Sequence, residues 1–300
     1  MSYSTLAALL LGACVAHGGA VHPRQSNGSI SALSPAQIDT FTPYTWFTST
    51  ASCVPSATLT WSCGANCDAN PGFKPIASGG DGAFVQYWYV GYDPSLATVI
   101  VAHQATDASK IIPILTDIDL FLTSFDSTLF PGLSSSIQVH SGFKTEQAQT
   151  ATAILAAVQS GLQKYGATSV TTVGHSLGAA LSLIDSVYLP LHLPSNTTFK
   201  TVLYGLPMVG NQAFADYVDS DKVNVTHIHN REDPIPTLPG TVLGYRQPSG
   251  EVHITDAGVW EVCPGQDNNS TLCTAGDVPT LLQGNLTDHG GPYGGIALGC

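Results

Sequence analysis

Residues 171–181 read TTVGHSLGAAL, a run of β-formers that passes through glycine, histidine and serine into a run of helix-formers. The core pentapeptide fits G-x-S-x-G, in which a serine is held on a sharp strand-to-helix turn. Such a turn brings backbone against backbone. Gly174 and Gly178 leave room there that side chains would fill. Ser176 would then sit at a helix N-terminus, where amides of the first turn point toward developing negative charge. The same five residues also suit an ordinary strand-to-helix junction, so the reading depends on what else the chain supplies.

A serine hydroxyl is a weak nucleophile and needs a base that is itself held by a carboxylate. With this turn the order along the chain is serine, acid, histidine. Among the carboxylates after Ser176, Asp233 stands in HNREDPIPTLPG, a loop stiffened by Pro234, Pro236 and Pro239 that follows a predicted strand. That places it at the carboxyl edge of the sheet, on the side of the serine. Among the downstream histidines, His227 and His229 precede the acid on its own strand. His253 lies in EVHITDAG, a predicted strand on the far side of the sheet, whereas His289 lies in the glycine-rich C-terminal loop LTDHGGPYGG. Order and loop context favour His289 over His253. His103, at the end of an interior strand, is a lesser candidate or a supporting residue.

Around this site the predicted elements alternate. SPAQIDTFTPYTWFTSTASC reads as an N-terminal helix capped by Ser34 with Pro35 at its first position. The segments 84–94 and 96–106 read as a hairpin of strands turning at Asp93-Pro94. Residues 146–166 read as an amphipathic helix closed by Gly166, and further strands fall at 170–174, 199–205 and 223–229. Strand alternating with helix predicts an α/β sheet with helices on its faces.

Composition sets the compartment and excludes several partners. The chain is 43% hydrophobic and 10% charged, with 9 basic against 21 acidic residues and a net charge of −12. It can bury a large core, and its charge opposes nucleic acids and anionic membranes. TLAALLLGACVA, residues 5–16, reads as a secretion signal cleaved after Ala16 or Ala20, too short for the ~20 residues that span a bilayer. This predicts one domain over residues 21–300. Outside that signal remain Cys53, Cys63, Cys67, Cys263, Cys273 and Cys300, an even number that suits three disulfides in an exported protein. Fifteen pairings are open in principle. Cys63 with Cys67 and Cys263 with Cys273 are natural local pairs, which leaves Cys53 for Cys300. Sequons stand at Asn27, Asn196, Asn224, Asn268, Asn269 and Asn285.

Taken together, VIVAHQAT (99–106), IQVHSGF (137–143), TTVGHSLGAAL, HIHNREDPIPTLP, EVHI and TDHGGPYG resemble the fungal class 3 lipases, secreted α/β-hydrolases, over most of the chain after its leader. The resemblance implies an α/β-hydrolase-like fold, with a mostly parallel central sheet, helices on both faces and a lid helix. It implies a triad of Ser176, Asp233 and His289 and disulfides Cys53–Cys300, Cys63–Cys67 and Cys263–Cys273. An oxyanion would be held by the backbone N–H of Leu177, which follows the serine, and by that of Thr106, which ends the segment matching the family's R-G-T-like stretch. Gln104 and Ala105 depart from that stretch, and Ala180 stands where the family favours glycine. Ala105 would be strained if its position required positive φ. The family's lid helix maps to residues 109–118. The activity implied is hydrolysis of acylglycerols through an acyl-enzyme, without metal or cofactor. Its partner would be an ester substrate at an oil–water interface, with no nucleic acid, no stable membrane insertion and no obligate protein partner. A feruloyl or general carboxylesterase would share each of these residues, and a noncatalytic secreted protein would keep the fold and disulfides.

Overall fold

The computed structural model describes residues 28–106, 110–113, 121–220 and 223–300. Among the described residues nine strands form one sheet: β1 (Ser31–Ala32), β2 (Lys74–Gly79), β3 (Trp88–Asp93), β4 (Thr98–His103), β5 (Ser169–His175), β6 (Thr198–Tyr204), β7 (Asn224–Asn230), β8 (Glu251–Ile254) and β9 (Trp260–Cys263). They lie in the order β1-β9-β8-β7-β6-β5-β4-β3-β2. The five strands from β4 to β8 run parallel. The pairs at both edges are antiparallel, so the sheet is more mixed than the sequence suggests. The hairpin of β3 and β4 turns at Asp93, whose carboxylate accepts the backbone N–H groups of Ser95 and Leu96.

Every residue of β4 is buried, and its side chains alternate between two cores as the pleat requires. Val99 and Val101 face the core that also holds Ile154, Val158 and Leu183. Ile100 and Ala102 face the one that holds Phe47, Tyr204 and Tyr293. The first core is covered by α3 (Ser141–Tyr165), α4 (Leu177–Tyr188) and α5 (Gln212–Val218), and the second by α2 (Thr42–Thr50). Helix α3 starts five residues before the apolar periodicity does, because the His140 ring accepts the Gly142 N–H and caps it. Gly166, at φ 61°, ends it as expected.

The N-terminal helix is divided. Ser34 and Gln37 form a reciprocal capping box on α1 (Pro35–Asp39), and α2 begins only at Thr42. Pro43 accounts for the break: it has no N–H, and its ring would clash with the Asp39 carbonyl in a continuous helix. Disulfides join Cys53 to Cys300, Cys63 to Cys67 and Cys263 to Cys273. The long-range bond ties the end of α2 to the last residue, reinforced where Ser49 and Asn66 both donate to the Gly299 carbonyl. Among the described residues no helix is long and apolar enough to cross a membrane. Most of the expected lid, residues 109–118, lies outside the described residues. Within it, 110–113 are helical and Ile111 is fully buried.

Candidate active site

Ser176 occupies the bend between β5 and α4 at φ 57° and ψ −125°. A non-glycine residue held at positive φ stores roughly 1–3 kcal/mol, sustained only where its surroundings leave no alternative. Here the surroundings are backbone. A Cβ on Gly174 would run into the Gly178 carbonyl, and one on Gly178 into the carbonyls of His103 and Gln104. The Ser176 N–H donates to the Tyr204 carbonyl at 3.0 Å, which fixes the bend to β6. Although Ser176 is the N-cap residue of α4, its hydroxyl caps nothing. The Oγ is buried without a hydrogen-bond partner among the described residues.

Asp233 and His289 meet across 56 residues of chain. Asp233 follows β7 in the proline-rich loop and is fully buried. Its Oδ2 lies 2.8 Å from His289 Nδ1, and its Oδ1 accepts the Ile235 N–H at 2.9 Å. A carboxylate accepts only, so Nδ1 carries the proton and Nε2 presents a lone pair. That Nε2 is buried and likewise without a partner among the described residues.

Two residues outside the expected set hold His289 in place. His175, immediately before Ser176, donates from Nε2 to the His289 carbonyl at 2.7 Å, and its ring centre lies 4.4 Å from that of His289. The Tyr293 hydroxyl donates to the same carbonyl at 3.1 Å. Burial, chiefly, and then the neighbouring His289 hold His175 well below the usual histidine range; its bond to the carbonyl opposes this only in part. It therefore stays neutral. Burial first, and then the Asp233 carboxylate, push the Tyr293 phenol well above its ordinary value, so it stays a donor. A third, Gly205, sits at φ 53° just past β6, where a Cβ would lie 2.8 Å from the His289 ring and 3.2 Å from Asp233 Oδ2. A glycine ending a strand beside the serine's own strand is the signal that would have found it.

The other histidines are engaged elsewhere. Both ring nitrogens of His253 lie 2.9 Å from carbonyls, those of Leu272 and Arg231, leaving none free to act as a base. His103 is buried against Asp185 at 2.7 Å, and Gln147 donates to the second oxygen of that carboxylate at 2.8 Å. This network lies beside the bend and fastens the end of β4 to α4. The departure from the family's stretch carries no strain. Ala105 is not among the residues at positive φ, and Gln104 pairs twice with Tyr87, donating its N–H to the Tyr87 carbonyl and accepting the Tyr87 N–H. Leu177 opens α4 directly after the serine, and Thr106 follows β4 on the same edge of the sheet.

A family model described as Lipase (class 3) matches residues 100–243, from β4 through Asp233. A secreted mono- and diacylglycerol lipase of Malassezia globosa is 34% identical over 205 residues, covering 67% of this chain and 66% of that protein. Another secreted mono- and diacylglycerol lipase, from Gibberella zeae, is 32% identical over 221 residues, covering 71% of this chain and 68% of that protein. The chain belongs to the class 3 lipase family. Its match spans about two thirds of the length of these curated relatives. Among solved structures, the triacylglyceride lipase of Rhizomucor miehei superposes with a TM-score of 0.76 at 26% identity, covering 90% of this chain and 98% of that one. The α/β-hydrolase-like fold is thus shared almost end to end with that lipase.

Proposed function

We propose that this class 3 lipase family member is a secreted serine ester hydrolase acting on acylglycerols, mono- and diacylglycerols among them, through an acyl-enzyme. The observation that carries the reading is the pair of buried atoms without a partner among the described residues, Ser176 Oγ and His289 Nε2, with His289 oriented by Asp233. Supporting it, the residue beside Ser176 touches both the ring and the carbonyl of His289. Three disulfides suit an oxidising compartment, as do the two relatives described as secreted.

In the proposed cycle Ser176 Oγ attacks the ester carbonyl carbon and its proton passes to His289 Nε2. Asp233 keeps the imidazole in the required tautomer and stabilises the imidazolium. The N–H groups of Leu177 and Thr106 receive the oxyanion, each contributing on the order of 3 kcal/mol to the barrier reduction. The carbon–oxygen bond to the alcohol then breaks, and His289 returns the proton to the departing oxygen. Water enters by the same route; His289 takes one of its protons as the oxygen attacks the acyl carbon, the bond to Ser176 Oγ breaks, His289 returns the proton to Oγ, and the fatty acid leaves. Fatty acid release from emulsified dioleoylglycerol tests this: Ser176→Ala should lower the rate at least ~10³-fold. A variant that keeps its rate refutes the assignment.

A further inference from the structure

Strand β7 ends at Asn230, and the chain turns at once toward Asp233. The Asp233 N–H donates back to the Asn230 carbonyl at 3.1 Å, across a turn in which Arg231 sits at φ 48°. A non-glycine residue at positive φ is uncommon and persists only where its surroundings hold it. Here the Arg231 N–H donates to the Ile254 carbonyl at 2.7 Å, and the Arg231 carbonyl lies 2.9 Å from His253 Nε2. Two further bonds join this turn to the segment that carries His289. The Asn285 N–H donates to the Glu232 carbonyl at 2.7 Å. The Asn230 side chain, 1% exposed, donates from Nδ2 to the Asp288 carbonyl at 2.9 Å. A carbonyl accepts only, so the amide nitrogen faces it. The Asp288 carbonyl also accepts the Gly291 N–H at 3.1 Å, a bond that stays within its own turn.

We infer that Asn230 is a positioning residue that sets where the Asp233 carboxylate and the His289 ring meet, its main chain anchoring the acid and its side chain the base. The inference rests on the hydrolase reading above, in which that pair activates Ser176. Peptide geometry explains why one bond matters. The Asp288 carbonyl and the His289 nitrogen share a planar unit, so holding that oxygen holds the plane before the His289 Cα. The plane after it contains the His289 carbonyl, which His175 and Tyr293 hold. With both planes held, φ and ψ of His289 are fixed and its Cβ has one direction. The side-chain torsions remain, and the 2.8 Å bond to Asp233 Oδ2 settles them. Without the Asn230 amide the first plane rotates more freely, and the ring no longer keeps one position.

Asn230→Leu keeps the branching at Cγ and removes the donor, and thermal unfolding checks that the variant folds. Two readouts are followed: kcat and KM on p-nitrophenyl butyrate, and the downfield ¹H resonance of the His289 Nδ1 proton, identified by its absence from His289→Ala. The kcat should fall on the order of tenfold while KM changes less than about twofold, the scale expected for a misplacement of roughly half an ångström. The resonance should shift or broaden. A merely stabilising contact would lower the unfolding temperature and move neither readout. Asn230→Ala is read in the same way if the leucine variant does not fold. A folded variant that keeps its kcat, loses activity through KM alone, or leaves the resonance unmoved overturns the inference. Failure of the hydrolase reading looks different: the wild-type protein shows the resonance and cleaves no ester.

Discussion

A Cβ at position 205 would meet two atoms of the His289 ring at 2.8 and 2.9 Å, on a backbone already at φ 53°. Gly205→Ala should therefore displace the imidazole while the fold survives, lowering kcat by about 10²-fold, the scale expected for a misplacement near 1 Å. Steady-state kinetics with a circular-dichroism check reads this directly. Asp233→Asn should be worse, because an asparagine amide can fix the opposite tautomer; a loss of about 10⁴ in kcat is expected. The proposed triad of Ser176, Asp233 and His289 is legible in the sequence because chain order and local punctuation restrict each to few positions. Gly205, His175 and Tyr293 are not. Each matters through a contact with a residue distant in the chain, and neither periodicity nor spacing encodes that.

Elements differ in how plainly they announce themselves. The interior strand β4 and the bend into α4 are strong local signals, a continuous apolar run and a pair of glycines flanking serine. The division of the N-terminal helix was also written locally, in Pro43, but the apolar residues on either side outweigh it in a periodicity reading. The early start of α3 depends on a histidine serving as cap, which residue preferences do not favour. At this scale the bend is the element to test. Gly178→Ala forces a Cβ into the carbonyls of His103 and Gln104. It should push β4 and Thr106 away from Ser176, lowering kcat far more than KM changes and more than any loss in thermal stability would explain.

Across the whole molecule, acid stability and the terminal disulfide give the sharpest expectations. His175 and His229 are held well below the usual histidine range and His227 down to about 4, in each case chiefly by burial. The unfolded chain protonates these rings below about pH 6.5, whereas the native state does not, so the unfolded state binds more protons and stability falls as pH drops. His227 alone contributes about 3 kcal/mol between pH 6.5 and 4. Glu251 works in the opposite direction, since burial raises its carboxyl and its proton is released later in the native state. Burial likewise raises the carboxyls of Glu146, Asp267 and Asp288, all more exposed than the three rings, so the rings dominate and the urea midpoint should be lower at pH 5 than at pH 7. Cys53–Cys300 closes nearly the whole chain, and replacing both cysteines by serine should cost about 4 kcal/mol in urea unfolding.

The most direct measurement of the central claim is peptide mapping after treatment with an alkyl organophosphonate, which reacts only with a serine activated by a neighbouring base. The account predicts a single adduct on Ser176, formed in step with loss of ester hydrolysis and absent from His289→Ala. Hydrolysis that persists with Ser176 fully modified, or is lost with Ser176 unmodified, would contradict it.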